Sequence, residues 1–158
     1  MRTMKIAAAM AALGLLAGCA AKQDISLDRA LAGQSQTSGS KLDRAIAAAA
    51  KHPFGSRLNP VRASMPQGQH AYLRRLRCSD GRAPQFDRMG NYGLGVYGNI
   101  IDGYAVDCGG AAPGKVEIYM DMYHPAHVET RPVPGFTIVP VRPPARALIP
   151  LRQGGSSA

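Results

Sequence analysis

Arg2 and Lys5 precede an apolar run over residues 6–15, and the small residues Ala17 and Gly18 close it. A run this short falls well below the ~20 apolar residues that span a bilayer. Charged start, apolar middle and small-residue end together read as an export signal. That signal constrains the fold more than any other feature, because it sets both the length left to fold and the compartment. Cleavage before Cys19 leaves 140 of the 158 residues, which suits one domain with a modest core.

Leu16-Ala17-Gly18-Cys19 resembles the lipobox of bacterial lipoproteins, and the resemblance covers residues 1–19. It implies a signal peptide over residues 1–18 and a Cys19 that carries diacylglyceryl and an N-linked acyl chain such as palmitate. Several acyl chains give stable membrane attachment, at about 0.8 kcal/mol per buried CH₂. In that class an Asp after the Cys favours the inner membrane. Ala20 stands there instead, which implies the outer membrane, with the domain facing the periplasm.

A thioether at Cys19 leaves Cys78 and Cys108. An even pair in an exported chain reads as one disulfide, because the compartment is oxidising. Their spacing is far from Cys-x-x-Cys, which argues against a thioredoxin-like redox role. A bridge closing a loop of about 30 residues contributes roughly 3–4 kcal/mol on chain-entropy grounds.

Residues 19–40 are rich in Ala, Gln, Ser and Gly and read as the lipidated Cys and a flexible tether, with one helical turn at 27–31. Leu42, Ala45, Ile46 and Ala49 then fall at i, i+3, i+4 and i+7, one face of a short helix after Ser40. His52-Pro53 stops it. Residues 57–66 read as extended loop. Residues 70–78 read as a strand ended by Ser79-Asp80-Gly81, and 100–108 as a second strand. The cleanest strand is 115–123, where Val116, Ile118, Met120 and Met122 alternate with polar residues and tyrosines. Residues 136–141 make a fourth, with Pro140 favouring a sheet edge. Residues 142–158, rich in Pro, Gly and Ser, read as a flexible tail. The expected fold is α+β over residues 41–141. One short N-terminal helix packs on a three- or four-stranded, mainly antiparallel sheet stapled by Cys78 and Cys108.

Gly93-Leu94-Gly95-Val96-Tyr97-Gly98 matches G-x-G-x-x-G, but no strand–turn–helix surrounds it, so a dinucleotide site is not expected. Residues 88–98 read instead as a structured surface loop. Its Tyr92 and Tyr97 either stack on a ligand or pack over the disulfide and sheet. Asp121, His124 and His127 carry ligand types for zinc, although Pro125 excludes a continuous helix through them and Glu129 is a loose substitute for a catalytic base. No Gly-x-Ser-x-Gly elbow is present. Asp102 and Asp107 fall on opposite faces of their strand, a poor acid–base pair.

Arg74, Arg75 and Arg77, followed by Arg82 and Arg88, form the densest basic run. Guanidinium forks suit phosphate and carboxylate, and arginines on a sheet face or edge equally guard against aggregation. Of the 19 Lys and Arg, removal of Arg2 and Lys5 leaves 17 against 10 acidic residues, a formal charge of +7. That balance favours anionic surfaces. The expected function is a lipid-anchored, non-enzymatic envelope module. It binds an anionic polymer, a lipid or an envelope protein, without cofactor and without nucleic acid. A metal-dependent hydrolase using Asp121, His124 and His127 is the alternative.

Overall fold

A computed structural model describes residues 25–141. The signal and lipid expectations on residues 1–19, and the tail expectation on 142–158, lie outside the described residues. Three helices, α1 (Leu27–Leu31), α2 (Gly39–Ala49) and α3 (Met65–Arg75), accompany six strands. The strands are β1 (Val61–Arg62), β2 (Leu76–Arg77), β3 (Gln85–Leu94), β4 (Ile100–Asp107), β5 (Lys115–Asp121) and β6 (Thr137–Ile138). The main sheet runs β1-β5-β4-β3 and is antiparallel except for the short parallel pairing of β1 with β5; β2 and β6 form a separate antiparallel pair. The fold is α+β with one disulfide, Cys78–Cys108, whose Cα atoms are 5.8 Å apart.

The two best-patterned strands form as expected. Ile118 and Met120 of β5 and Tyr104 and Val106 of β4 point into the core. Helix α2 also forms, with Ala49 buried and Leu42, Ala45 and Ile46 half-buried on the expected face. It begins after Ser38 rather than Ser40.

The strand expected over 70–78 is a correction. Most of it is the end of α3, and only Leu76–Arg77 is extended. Ser64 precedes the helix and Pro66 sits in its first turn, where a missing N–H costs nothing. Gln69, Tyr72, Leu73 and Leu76 then repeat at helical spacing and are all buried. These side chains, with Val61 and Ala63, form one core with Tyr104, Val106, Ile118 and Met120. The sheet is therefore covered by α3, a helix the period-two reading did not anticipate.

Three further expectations change. The loop expected at 88–98 is largely β3, an edge strand bulged between Arg88 and Gly90 and again between Asn91 and Leu94. Its glycines disguise it; the Tyr92 ring covers Gly103 of β4, where an added Cβ would collide with it. The segment expected at 136–141 does not extend the main sheet, and only Thr137–Ile138 pairs, with β2. The described part of the expected tether is folded: Ser35 and Thr37 are buried, and the Ser26 side chain caps α1.

Candidate functional site

The arginines of the basic run are spread over α3, β2, the loop after it and β3, and are mostly engaged within the chain. Arg75 donates to the backbone carbonyls of Glu129 and Val139 and lies 5.9 Å from the Tyr72 ring centroid. Arg77 donates to the carbonyls of Arg74 and Leu76, which the helix end leaves open. Arg82 pairs with Asp80 at 2.8 Å. Arg88 pairs with buried Asp102 at 2.6 Å, and that contact raises the arginine's pKa. Gln69 donates to the other Asp102 oxygen and accepts from Tyr104, so this polar cluster is internally satisfied. Arg74 remains exposed on α3.

The two tyrosines also separate. Tyr92 packs edge-on against Tyr119 at 5.0 Å, with Arg57 over both rings. Tyr97 is 2% exposed and meets the His124 ring edge-on at 5.3 Å. Burial pushes its phenol pKa up. Tyr97 is thus a wall behind His124 and not a surface platform.

Asp121, His124 and His127 do come together, at the end of β5. The His124 N–H donates to the Ala63 carbonyl, tying the segment to the chain just past β1. The His127 N–H donates back to the His124 carbonyl at 3.0 Å. Pro125 stands second in this four-residue turn and Ala126 third, at φ +60°, the pattern of a type II turn. The turn sets the two imidazoles 6.4 Å apart, centroid to centroid.

Each acidic neighbour has its own work. Asp121, fully buried, accepts from Asn99 Nδ2 at 2.9 Å and from the Tyr123 N–H at 3.0 Å. His124 Nε2 lies 3.4 Å from its Oδ2 without hydrogen-bond geometry, and this buried nitrogen has no partner. Glu129 accepts from the N–H groups of Thr130 and Arg131, with the Arg131 guanidinium at 3.5 Å and His127 Nε2 at 3.6 Å. Burial pushes the Glu129 carboxyl up, but the His127 imidazole, the Arg131 N–H and the Arg131 charge outweigh it and hold it at about 2. Among the described residues no three His, Cys, Asp or Glu side chains converge in a way that could hold a metal ion.

What the histidines do line is a cleft of about 370 Å³ facing the segment between α1 and α2. Arg29, Gln34, Ser35, Thr37, Ser38 and Arg62 add to its polar wall, and among the described residues no Asp or Glu lines it. Arg29 and Arg62 make no ion pair among the described residues. Ser35 Oγ accepts from the Thr37 N–H at 3.2 Å and from Asn99 Nδ2 at 3.1 Å. With both lone pairs engaged, its own proton is left to donate. Asn99 Oδ1 accepts from the Gln36 N–H at 2.7 Å, which fixes the amide orientation and anchors the wall to the sheet.

No protein-family model, curated protein or solved structure matches this chain. The site therefore rests on its own residues.

Sequence reasoning missed Arg29, Ser35, Arg62 and Asn99. Ser35 sits in a polar, low-complexity stretch that reads as linker, and Asn99 follows a glycine-rich segment that reads as turn. Only the His-Pro-Ala-His turn carried a local signal.

Proposed function

We propose that this chain is a lipid-anchored, non-enzymatic envelope protein that binds an anionic group in the cleft beside the His124–His127 turn. The placement of Arg29, Arg62, His124 and His127 along one cleft that no described Asp or Glu lines carries the reading. Guanidinium and imidazole donors with a hydroxyl proton suit a carboxylate or phosphate. This reading assigns the anionic partner expected from the +7 charge to the cleft and not to the run Arg74 to Arg88. The lipid anchor rests on Leu16-Ala17-Gly18-Cys19, and the cleft does not depend on it.

Titration of the full chain carrying Cys19→Ala with acetate and with inorganic phosphate, followed by the imidazole resonances of His124 and His127, tests the cleft. Saturable shifts are expected, weakened at least about tenfold in Arg29→Gln/Arg62→Gln, as loss of charge-assisted hydrogen bonds implies. Absence of any saturable shift removes the reading. For the anchor, labelled acyl chains should be incorporated by the native chain and not by Cys19→Ala; equal labelling of both removes it.

A further inference from the structure

The polar cleft has an apolar neighbour. A second cleft of about 220 Å³, lined by Ala63, Gly68, Ala71, Tyr72, Val128 and Val141, shares Arg62 and His127 with the first. Val128 and Val141 are 58% and 48% exposed, so two branched aliphatic side chains at this concavity are left to water. Small-ligand sites take the form of an apolar concavity with a few convergent polar groups.

The charged groups that also line this second cleft are already satisfied. The Arg75 guanidinium is held by two backbone carbonyls, and the Glu129 carboxylate by two backbone N–H groups, with the Arg131 and His127 side chains beside it. The wall offered to a ligand is therefore mainly hydrocarbon on one side of Arg62 and His127, and cationic on the other.

We propose that the ligand is a single-chain anionic amphiphile, its carboxylate held by Arg62 and His127 and its hydrocarbon chain laid along Ala71, Val128 and Val141. The inference rests on the anion-cleft reading and specifies its substrate class. A bare anion leaves the valines uncovered, and a neutral alkyl chain leaves the guanidinium unpaired. The amphiphile covers both.

Calorimetric titration of the full chain carrying Cys19→Ala with acetate, hexanoate, dodecanoate below its micelle concentration, and neutral dodecanol tests this. Affinity should rise with chain length, by up to about fourfold per buried methylene, and dodecanol should bind at least about tenfold more weakly than dodecanoate. Val128→Ser, an uncharged change at an exposed position, should lower the gain per methylene and weaken dodecanoate more than acetate. Arg62→Gln should bring dodecanoate down to the level of dodecanol.

Equal affinity for acetate and dodecanoate overturns the amphiphile and leaves the anion cleft standing. Equal affinity for dodecanoate and dodecanol overturns both, as does binding of none of the four. Dodecanoate binding that emerges only when Leu148, Ile149 and Leu151 are replaced by Ser assigns the apolar groove to the chain's own C-terminal segment, and the amphiphile proposal falls.

Discussion

Asn99 Nδ2 stands 2.9 Å from Asp121 Oδ2, and its second hydrogen reaches Ser35 Oγ at 3.1 Å. One amide thereby joins the residue before β4, the end of β5 and the segment between α1 and α2. Replacing it by alanine leaves a buried carboxylate oxygen, a hydroxyl and the Gln36 N–H short of partners. Asn99→Ala should lower the unfolding free energy by about 2–4 kcal/mol, measured by urea denaturation. Asn99→Asp should be worse near neutral pH, because two carboxylates then meet in one buried site, and should recover as the pH falls. A loss under about 0.5 kcal/mol for Asn99→Ala would refute the role of this amide.

Glu129 makes stability pH-dependent in the acid range. Its folded carboxyl titrates at about 2, below its ordinary 4.5. The native state therefore binds fewer protons than the unfolded chain between these values. Its contribution is fully present above about pH 5 and is lost as pH falls through 4.5 toward 2. We expect about 2 kcal/mol, less than the full shift implies, because the Arg131 side chain is 60% exposed and solvent screens the pair. Denaturation curves of the native chain and Glu129→Gln should differ most at pH 7, draw together through pH 4 and 3, and converge near pH 2.

Neighbouring arginines should behave differently. Arg75→Gln breaks donation to two backbone carbonyls and its contact with the Tyr72 ring, at about 1–2 kcal/mol. Arg74→Gln, exposed on the same helix, should change stability by less than about 0.5 kcal/mol. Equal effects of the two in thermal melts would contradict the engaged role of Arg75.

Ala126 carries φ +60° in the turn between the histidines, where an L side chain is strained. Ala126→Gly should stabilise the chain, or at worst leave it unchanged, by up to about 1 kcal/mol, as relief of the Cβ strain exceeds the added entropy of the unfolded glycine. The imidazole resonances of His124 and His127 should keep their positions; a marked displacement would show that the turn had changed.

The disulfide closes a separation of 30 residues. Cys78→Ser/Cys108→Ser should cost about 3 kcal/mol, read as a lowered denaturation midpoint. Because Cys78 and Cys108 both border the core with Val106 and Phe136, the loss should affect unfolding as a whole, with all spectroscopic probes moving together.

Periodicity was readable where it was unambiguous. Val116, Ile118 and Met120 alternate cleanly, and Leu42, Ala45, Ile46 and Ala49 recur only at helical spacing. Around Tyr72 the same letters serve two periods: 72, 76 and 78 fit a strand, while 69, 72, 73 and 76 fit a helix. Burial against Tyr104 and Val106 selects the second, with Ser64 and Pro66 as its start signal. In β3 the glycines lower strand propensity, and pairing to β4 under Tyr92 overrides it.

The amino-acid sequence by itself determined the α+β class, the existence of the two strands β4 and β5, the pairing partners Cys78 and Cys108, and the non-helical break at Pro125. Each follows from a short-range pattern or from counting. Tertiary structure alone decided which polar residues share a site. Asn99 meets Ser35 across 64 positions, and Arg62 reaches His127 through the pairing of β1 with β5. No local period encodes such meetings, because they are set by which strands pair and which helix covers the sheet. The same packing engaged Arg75, Arg77 and Arg88 within the fold and left Arg29 and Arg62 at the cleft.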